Sequence, residues 1–175
     1  FRKMEEQELK LQLTEGEITG FIKEASDSFT DLAERKNINY YFSSNVKNTY
    51  VLFDADKIER ILFNLISNAF KFTSEGGKIT IELEQPERSS KDEKVWLTIK
   101  VADSGIGIPP ETKDKIFETF YQNESGPKIL NQGTGIGLSI AKEFVKMHNG
   151  TITVESEPGE GSCFIVTIPF TTAGD

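Results

Sequence analysis

At 175 residues, with 37% hydrophobic and 27% charged residues, the chain suits one domain, long enough to bury roughly 70% of its unfolded surface around a single core. Its 28 Asp and Glu against 20 Lys and Arg leave a formal net charge of −8. That balance speaks against nucleic acid, whose non-specific binding needs a basic face, and against direct contact with an anionic membrane. A single cysteine, Cys163, excludes an internal disulfide, and a single histidine, His148, excludes a Cys/His metal site. No apolar run approaches the ~18 residues of a membrane helix. The opening Phe1-Arg2-Lys3-Met4-Glu5-Glu6 is charged with no apolar stretch behind it, so it does not read as a signal peptide. The expectation is a soluble domain from a reducing, cytoplasmic compartment, cut from a longer parent whose own membrane anchorage the sequence leaves open.

Residues 1–16 are short of core material, with Leu9, Leu11 and Leu13 alternating like a short strand. From Glu17 to Lys36 the apolar residues Ile18, Phe21, Ile22, Ala25, Phe29, Leu32 and Ala33 keep helix spacing. Asn39 to Phe53 reads as two short strands around the polar turn Ser43-Ser44-Asn45. A second helix runs from about Asp54 to Thr73, with Gly76-Gly77 as its stop. Lys78–Glu84 and Lys94–Asp103 alternate as strands, and the polar stretch Pro86–Glu93 joins them as a hairpin. Pro109–Tyr121 reads as a short helix and Gln122–Gln132 as a mobile loop. A third helix, Ser139–His148, stops at Asn149-Gly150. Strands Thr151–Ser156 and Ser162–Phe170 follow, joined by Pro158-Gly159-Glu160-Gly161. The pattern predicts an α+β two-layer sandwich, with a mixed sheet and helices on one face.

Three constellations could carry chemistry. On the helix Asp54–Thr73, the core stripe is Ile58, Ile61, Leu62, Leu65, Ala69 and Phe72. Asn64, Asn68 and Lys71 fall within about 60° of one another on a different face. That face is either solvated surface or a site offering amide oxygens to Mg²⁺ and an ammonium to phosphate. Asp103 ends a strand and enters Ser104-Gly105-Ile106-Gly107-Ile108-Pro109. It is either an ordinary capped turn or a carboxylate that accepts the exocyclic amine of adenine and repels the carbonyl of guanine. Gly133-Thr134-Gly135-Ile136-Gly137-Leu138-Ser139 precedes a helix, a natural place for phosphate on backbone N–H groups. It lacks the last glycine and the preceding strand of a dinucleotide fingerprint, and no Walker A sequence is present. The protein kinase signature set is missing as well.

Taken in this order, the constellations resemble the boxes of sensor histidine kinases. N-L-I-S-N-A-F-K-F-T (64–73) is similar to their N box and D-S-G-I-G-I-P (103–109) to their first glycine box. F-E-T-F-Y (117–121) is similar to the phenylalanine box and G-T-G-I-G-L-S (133–139) to the second glycine box. The resemblance runs from about Leu11 to Phe170. It implies a Bergerat-type ATP-binding fold, with about three helices on one face of a mostly antiparallel sheet. Residues 1–10 would be the tail of an upstream dimerisation and phosphoacceptor helix, or a linker, and 11–175 the catalytic domain.

The resemblance further implies ATP and Mg²⁺ as cofactors. Asn68 would ligate Mg²⁺, with Asn64 contacting the metal's water or a phosphate. Lys71 would reach the phosphates and Phe72 would stand beside the adenine. Asp103 would accept the adenine amine, with Gly105, Gly107 and Ile108 beneath the ring. Tyr121 and Lys128 would join the nucleotide site, Lys128 as the only cation of the lid. Gly133, Thr134, Gly135, Ile136, Gly137 and Leu138 would wrap the triphosphate. Gln122 stands where many relatives carry Arg after the Phe-Tyr of the third box.

The implied activity is transfer of the γ-phosphate to a histidine outside this chain. The partners would be an upstream histidine-bearing dimerisation domain and a response-regulator receiver domain. Dimerisation would belong to the hairpin, so the chain is expected to be a monomer and its parent a homodimer. His148, before Asn149-Gly150, reads as a capping or helix-dipole residue rather than the acceptor. Two alternatives stand beside this one: an ATP-hydrolysing relative and a degenerate nucleotide-binding module. Hydrolytic branches place a Glu one turn before the metal-binding Asn. Here that position is Asn64, whose neutral amide cannot take a proton from water.

Overall fold

The computed structural model describes residues 10–86, 94–107, 116–117 and 137–172. In chain order the elements are β1 (Thr14–Glu17), α1 (Ile18–Asp27), α2 (Thr30–Lys36), β2 (Asn39–Ser44), β3 (Tyr50–Phe53) and α3 (Ala55–Phe72). Then come β4 (Lys78–Glu84), β5 (Lys94–Asp103), α4 (Gly137–Met147), β6 (Thr151–Glu157) and β7 (Gly161–Thr172). The strands form one sheet in the order β1-β3-β7-β5-β4-β2, with β6 also paired to β7. Every pairing is antiparallel except β2 with β4. The mixed, mostly antiparallel sheet is the one expected.

Strand alternation builds the sheet's inner face. Ile79, Ile81 and Leu83 of β4, Leu97, Ile99 and Val101 of β5, and Phe164, Val166, Ile168 and Phe170 of β7 are all buried. The helix stripe Ile58, Ile61, Leu62, Leu65, Ile66 and Ala69 of α3 joins them in the same core. Burying one leucine-sized side chain is worth about 1.5–3 kcal/mol, so this layer contact dominates the fold. Phe70, not Phe72, is the aromatic buried at the end of α3; Phe72 is only partly covered.

Three further expectations needed correction. The first helix is two: α1 ends at Asp27, and α2 starts after Phe29, whose φ of −94° and ψ of 2° leave the helical register. Phe29 thereby turns inward, its ring 5.9 Å from that of Phe70. The N-terminal strand is Thr14–Glu17 rather than the leucine alternation before it, because it pairs with β3 from Thr14↔Phe53 to Glu17↔Tyr50. β2 and β3 do form, but they lie apart in the sheet, β2 beside β4 and β3 between β1 and β7. The Pro86–Glu93 connection and the Gln122–Gln132 loop lie essentially outside the described residues, as does the Pro109–Tyr121 helix except for Ile116 and Phe117.

Helices α3 and α4 pack antiparallel and are joined by polar contacts. Asp54 caps α3, its Oδ1 accepting from the Lys57 N–H at 3.1 Å. Its Oδ2 accepts from the Gln12 N–H at 2.8 Å and from Lys57 Nζ at 3.1 Å. Lys57 Nζ also donates to the Lys10 carbonyl and lies 5.5 Å from the ring centroid of Phe144 in α4. Asp54 and Lys57 are only 3% and 6% exposed, a buried ion pair. Burial pushes the Asp54 carboxyl up, but hydrogen bonds from Gln12 and Lys57 outweigh it and hold the group below its ordinary value.

His148, 5% exposed, follows α4. Its Nε2 accepts the Asp54 N–H at 3.4 Å, so Nδ1 carries the proton and donates to the Phe144 carbonyl at 2.9 Å. The ring does cap the helix end through that carbonyl. Burial lowers its pKa, so it caps as a neutral imidazole and not as a cation on the dipole.

Candidate functional site

The fold brings the described parts of both glycine boxes to α3, which carries the N box. Asn64 and Asn68 are partly buried on one side of the helix, and Lys71 is exposed one turn on. The Asn64 amide Nδ2 donates to the carbonyl of Gly137, the first residue of α4, at 3.0 Å. The Nδ2 of Asn68 is buried and has no hydrogen-bond partner among the described residues. An unpaired buried amide is costly, and rotation about χ2 exchanges its nitrogen and oxygen. Asn68 therefore has a carboxamide to offer a ligand.

Asp103 ends β5 and is 8% exposed. Its Oδ1 accepts from the Gly105 N–H and its Oδ2 from the Ser162 hydroxyl, each at 2.9 Å. Burial pushes its carboxyl up, against the lowering effect of those hydrogen bonds. Each carboxylate oxygen keeps capacity for a further donor. Asp103 faces Ser162 because β5 and β7 pair in the register Asp103↔Ser162. Ser162 went unnoticed in the sequence: a serine after the Pro158–Gly161 turn carries no signal until the strands are paired.

Gly105 and Gly107 have a packing reason beyond any ligand. A side chain at Gly105 would run into the Phe72 carbonyl, so the loop after β5 lies directly against the end of α3. Gly107 has φ of 77°, disfavoured for other residues, and a Cβ there would strike the Glu157 backbone. The Gly159 N–H also donates to the Ile106 carbonyl at 2.7 Å, binding the loop to the β6–β7 turn. From the third box, Phe117 sets its ring edge-on to Phe164, centroids 6.0 Å apart. Gly137 and Leu138 open α4. Ile108, Tyr121, Lys128, Gly133, Thr134, Gly135 and Ile136 lie outside the described residues.

Among the described residues no three His, Cys, Asp or Glu side chains cluster as metal ligands.

A helix of amides and a lysine, abutted by one glycine loop at its end and by a helix start at its middle, defines an α+β nucleotide-binding module. The family profile described as histidine kinase-, DNA gyrase B- and HSP90-like ATPase matches residues 53–172. The catalytic domain of histidine kinase ThkA superposes with a TM-score of 0.76 at 32% identity, covering 92% of this chain and 97% of that one. Histidine kinase P4 of Formosa agariphila is 41% identical over 172 residues, 97% of this chain. Sensor histidine kinase WalK of Bacillus subtilis is 35% identical over 154 residues, 88% of this chain. The chain spans only 12% and 24% of the lengths of those two relatives. The chain belongs to this ATPase family, as the catalytic ATP-binding domain of a histidine kinase. No helix among the described residues is long and apolar enough to cross a membrane.

Proposed function

We propose that this chain binds ATP together with Mg²⁺ and donates the γ-phosphate to a histidine carried elsewhere in its parent protein. The observation that carries this reading is the meeting of both glycine boxes with one helix, Gly105 against the Phe72 backbone and Gly137 on the Asn64 amide. Asp103 holds the adenine amine with the acceptor capacity left to it beyond Gly105 and Ser162, and guanine, presenting a carbonyl there, is repelled. Phe72 stands beside the base, with Gly105, Gly107 and Ile108 beneath the ring. Lys71 brings its exposed ammonium to the phosphates. Tyr121, Lys128 and the stretch Gly133, Thr134, Gly135, Ile136, Gly137 and Leu138 complete the enclosure.

Asn68 is the residue that would hold Mg²⁺, which when bound neutralises phosphate charge. The protein's own contribution is positioning and electrostatics, since phosphoryl transfer asks for little else. The nucleophile is supplied by a histidine-bearing dimerisation hairpin upstream, and the product passes to a receiver domain. The relationship to ThkA, whose structure includes a complex with response regulator TrrA, supports that partner class.

Calorimetric titration of residues 1–175 with ATP, GTP and ADP, with Mg²⁺ and with chelator, tests the reading. ATP should bind well above GTP, and Mg²⁺ should strengthen it. Equal affinities for ATP and GTP would remove the role of Asp103, and no binding of either would remove the nucleotide site.

A further inference from the structure

We infer that the buried Asp54–Lys57 pair is a clasp on the entering chain: it holds Lys10–Gln12 by the backbone beside the C-terminal end of α4, and opening it frees the nucleotide site to reach its acceptor. This regulation rests on the transfer reading above, in which the acceptor histidine belongs to the part of the parent that precedes this chain.

The entering segment is gripped at two points of its main chain. Lys57 Nζ donates to the Lys10 carbonyl at 3.1 Å, and Asp54 Oδ2 accepts the Gln12 N–H at 2.8 Å. Lys10 and Gln12 are themselves exposed, so the grip reads main-chain polarity rather than a side chain. Stability alone gives little reason for such a pair, since apolar residues of similar volume often do as well as a buried ion pair. The ammonium here serves the Asp54 carboxylate and the Lys10 carbonyl together and lies over the Phe144 ring of α4. An apolar replacement would fill the space and hold neither oxygen.

The clasp and the nucleotide site stand at opposite ends of the α3–α4 pair. Asp54 and Lys57 lie at the start of α3 and meet Phe144 and His148 at the end of α4, whereas Asn64 meets Gly137 at the start of α4. From Lys57 to Asn68 is three turns of α3, about 16 Å along the axis. With the clasp closed, the preceding chain therefore joins the domain at the end away from Asn68 and Gly137. With it open, the first residue still fixed is Thr14, which pairs with Phe53 in the sheet. The freed residues 10–13 span at most about 14 Å, close to the distance that separates clasp and site. A freer tether changes the effective concentration of acceptor at the site and leaves the site itself untouched.

Two variants open the clasp from different sides. Asp54→Asn combined with Lys57→Met removes both charges, so that neither is stranded, and keeps a good cap on α3. Gln12→Pro leaves the pair intact and removes the N–H that it grips. The first readout, in residues 1–175, is the distribution of distances between spin labels at Lys10→Cys and Lys146→Cys, with Cys163→Ser as background. The native chain should give one narrow peak and both variants a broad one. A peak as narrow in either variant as in the native chain would overturn the clasp. The second readout is phosphohistidine formation, measured within the intact parent and by residues 1–175 acting on a separate histidine-bearing hairpin. Opening the clasp should raise the first several-fold and leave the second, and ATP affinity, unchanged. Equal changes in both would mark a merely structural pair, and unchanged or slower transfer within the parent would show that the closed clasp restrains nothing; either result overturns the inference. Should the native parent form no phosphohistidine, the transfer reading fails, while the label distances still decide whether the clasp exists.

Discussion

Burial raises the pKa of the Asp103 carboxyl, and hydrogen bonds from the Gly105 N–H and from the Ser162 hydroxyl and backbone oppose that rise in part. Replacing Asp103 with Ala removes a charged acceptor worth roughly 1.5–3 kcal/mol, so ATP affinity should fall about 10- to 150-fold and the preference over GTP should narrow. Titration of both proteins with both nucleotides checks this; an unchanged ATP to GTP ratio would sink the base-reading role. Asn68 makes a second, independent prediction. Its Nδ2 has no partner to lose among the described residues, and Ala is the better helix former. Asn68→Ala should therefore leave the nucleotide-free melting temperature nearly unchanged while strongly weakening Mg²⁺-dependent ATP binding. Metal-free ATP binding should change much less. The residue types at 64, 68, 71 and 103 were legible because amides, an ammonium and a terminal carboxylate stood at informative spacings. Ser162 and the Asn64 to Gly137 bond were not, because each depends on a partner more than fifty residues away.

At the scale of elements, α3 holds the structure and the site together. Its first turn carries the buried Asp54–Lys57 pair, whose partners include the Lys10 carbonyl and the Gln12 N–H. Removing one member of a buried pair strands the other, at a cost of about 3–5 kcal/mol. Lys57→Ala should show that loss in denaturant unfolding, and a change within 0.5 kcal/mol, about the scatter of surface substitutions, would mean that the pair contributes little.

His148 gives the same helix junction a pH dependence. Its folded pKa lies below the ordinary value of 6.5 because burial disfavours the imidazolium. The unfolded chain therefore takes up a proton first as pH falls. Stability is complete above about 6.5 and declines below it, by at most ~1.4 kcal/mol per pH unit for one proton, until the folded pKa is reached. His148→Gln should flatten the stability curve between pH 7 and 5, and equal slopes would remove the assignment. Regular elements such as α3, β4 and β5 were readable because periodicity and caps act locally. The break at Phe29 and the separation of β2 from β3 were not, since tertiary packing decides both.

The molecule as a whole carries −8 and is read as a binder of a polyanion. On the proposed reading the two are compatible because a site is governed by its own groups: Lys71, the helix start at Gly137 and a bound divalent cation would oppose phosphate charge locally. The same whole-chain view predicts an enzyme domain that is nearly silent alone. Hydrolysis needs a base on water, and position 64 is an amide engaged with Gly137. Self-phosphorylation needs a free imidazole, and the chain's single histidine uses Nδ1 on the Phe144 carbonyl and Nε2 on the Asp54 N–H. Incubated with Mg²⁺ and γ-labelled ATP, residues 1–175 should therefore accumulate no label, and His148→Gln should behave alike. On the proposed reading, adding a histidine-bearing hairpin should produce an acid-labile, alkali-stable phosphohistidine on the hairpin, because it would supply the nucleophile that this chain lacks. Asn68→Ala should abolish most of that transfer, and Asp103→Ala should restore it only at raised ATP. Rapid steady release of inorganic phosphate by the chain alone would place it in the hydrolytic branch of its family, and the transfer reading would have to be abandoned.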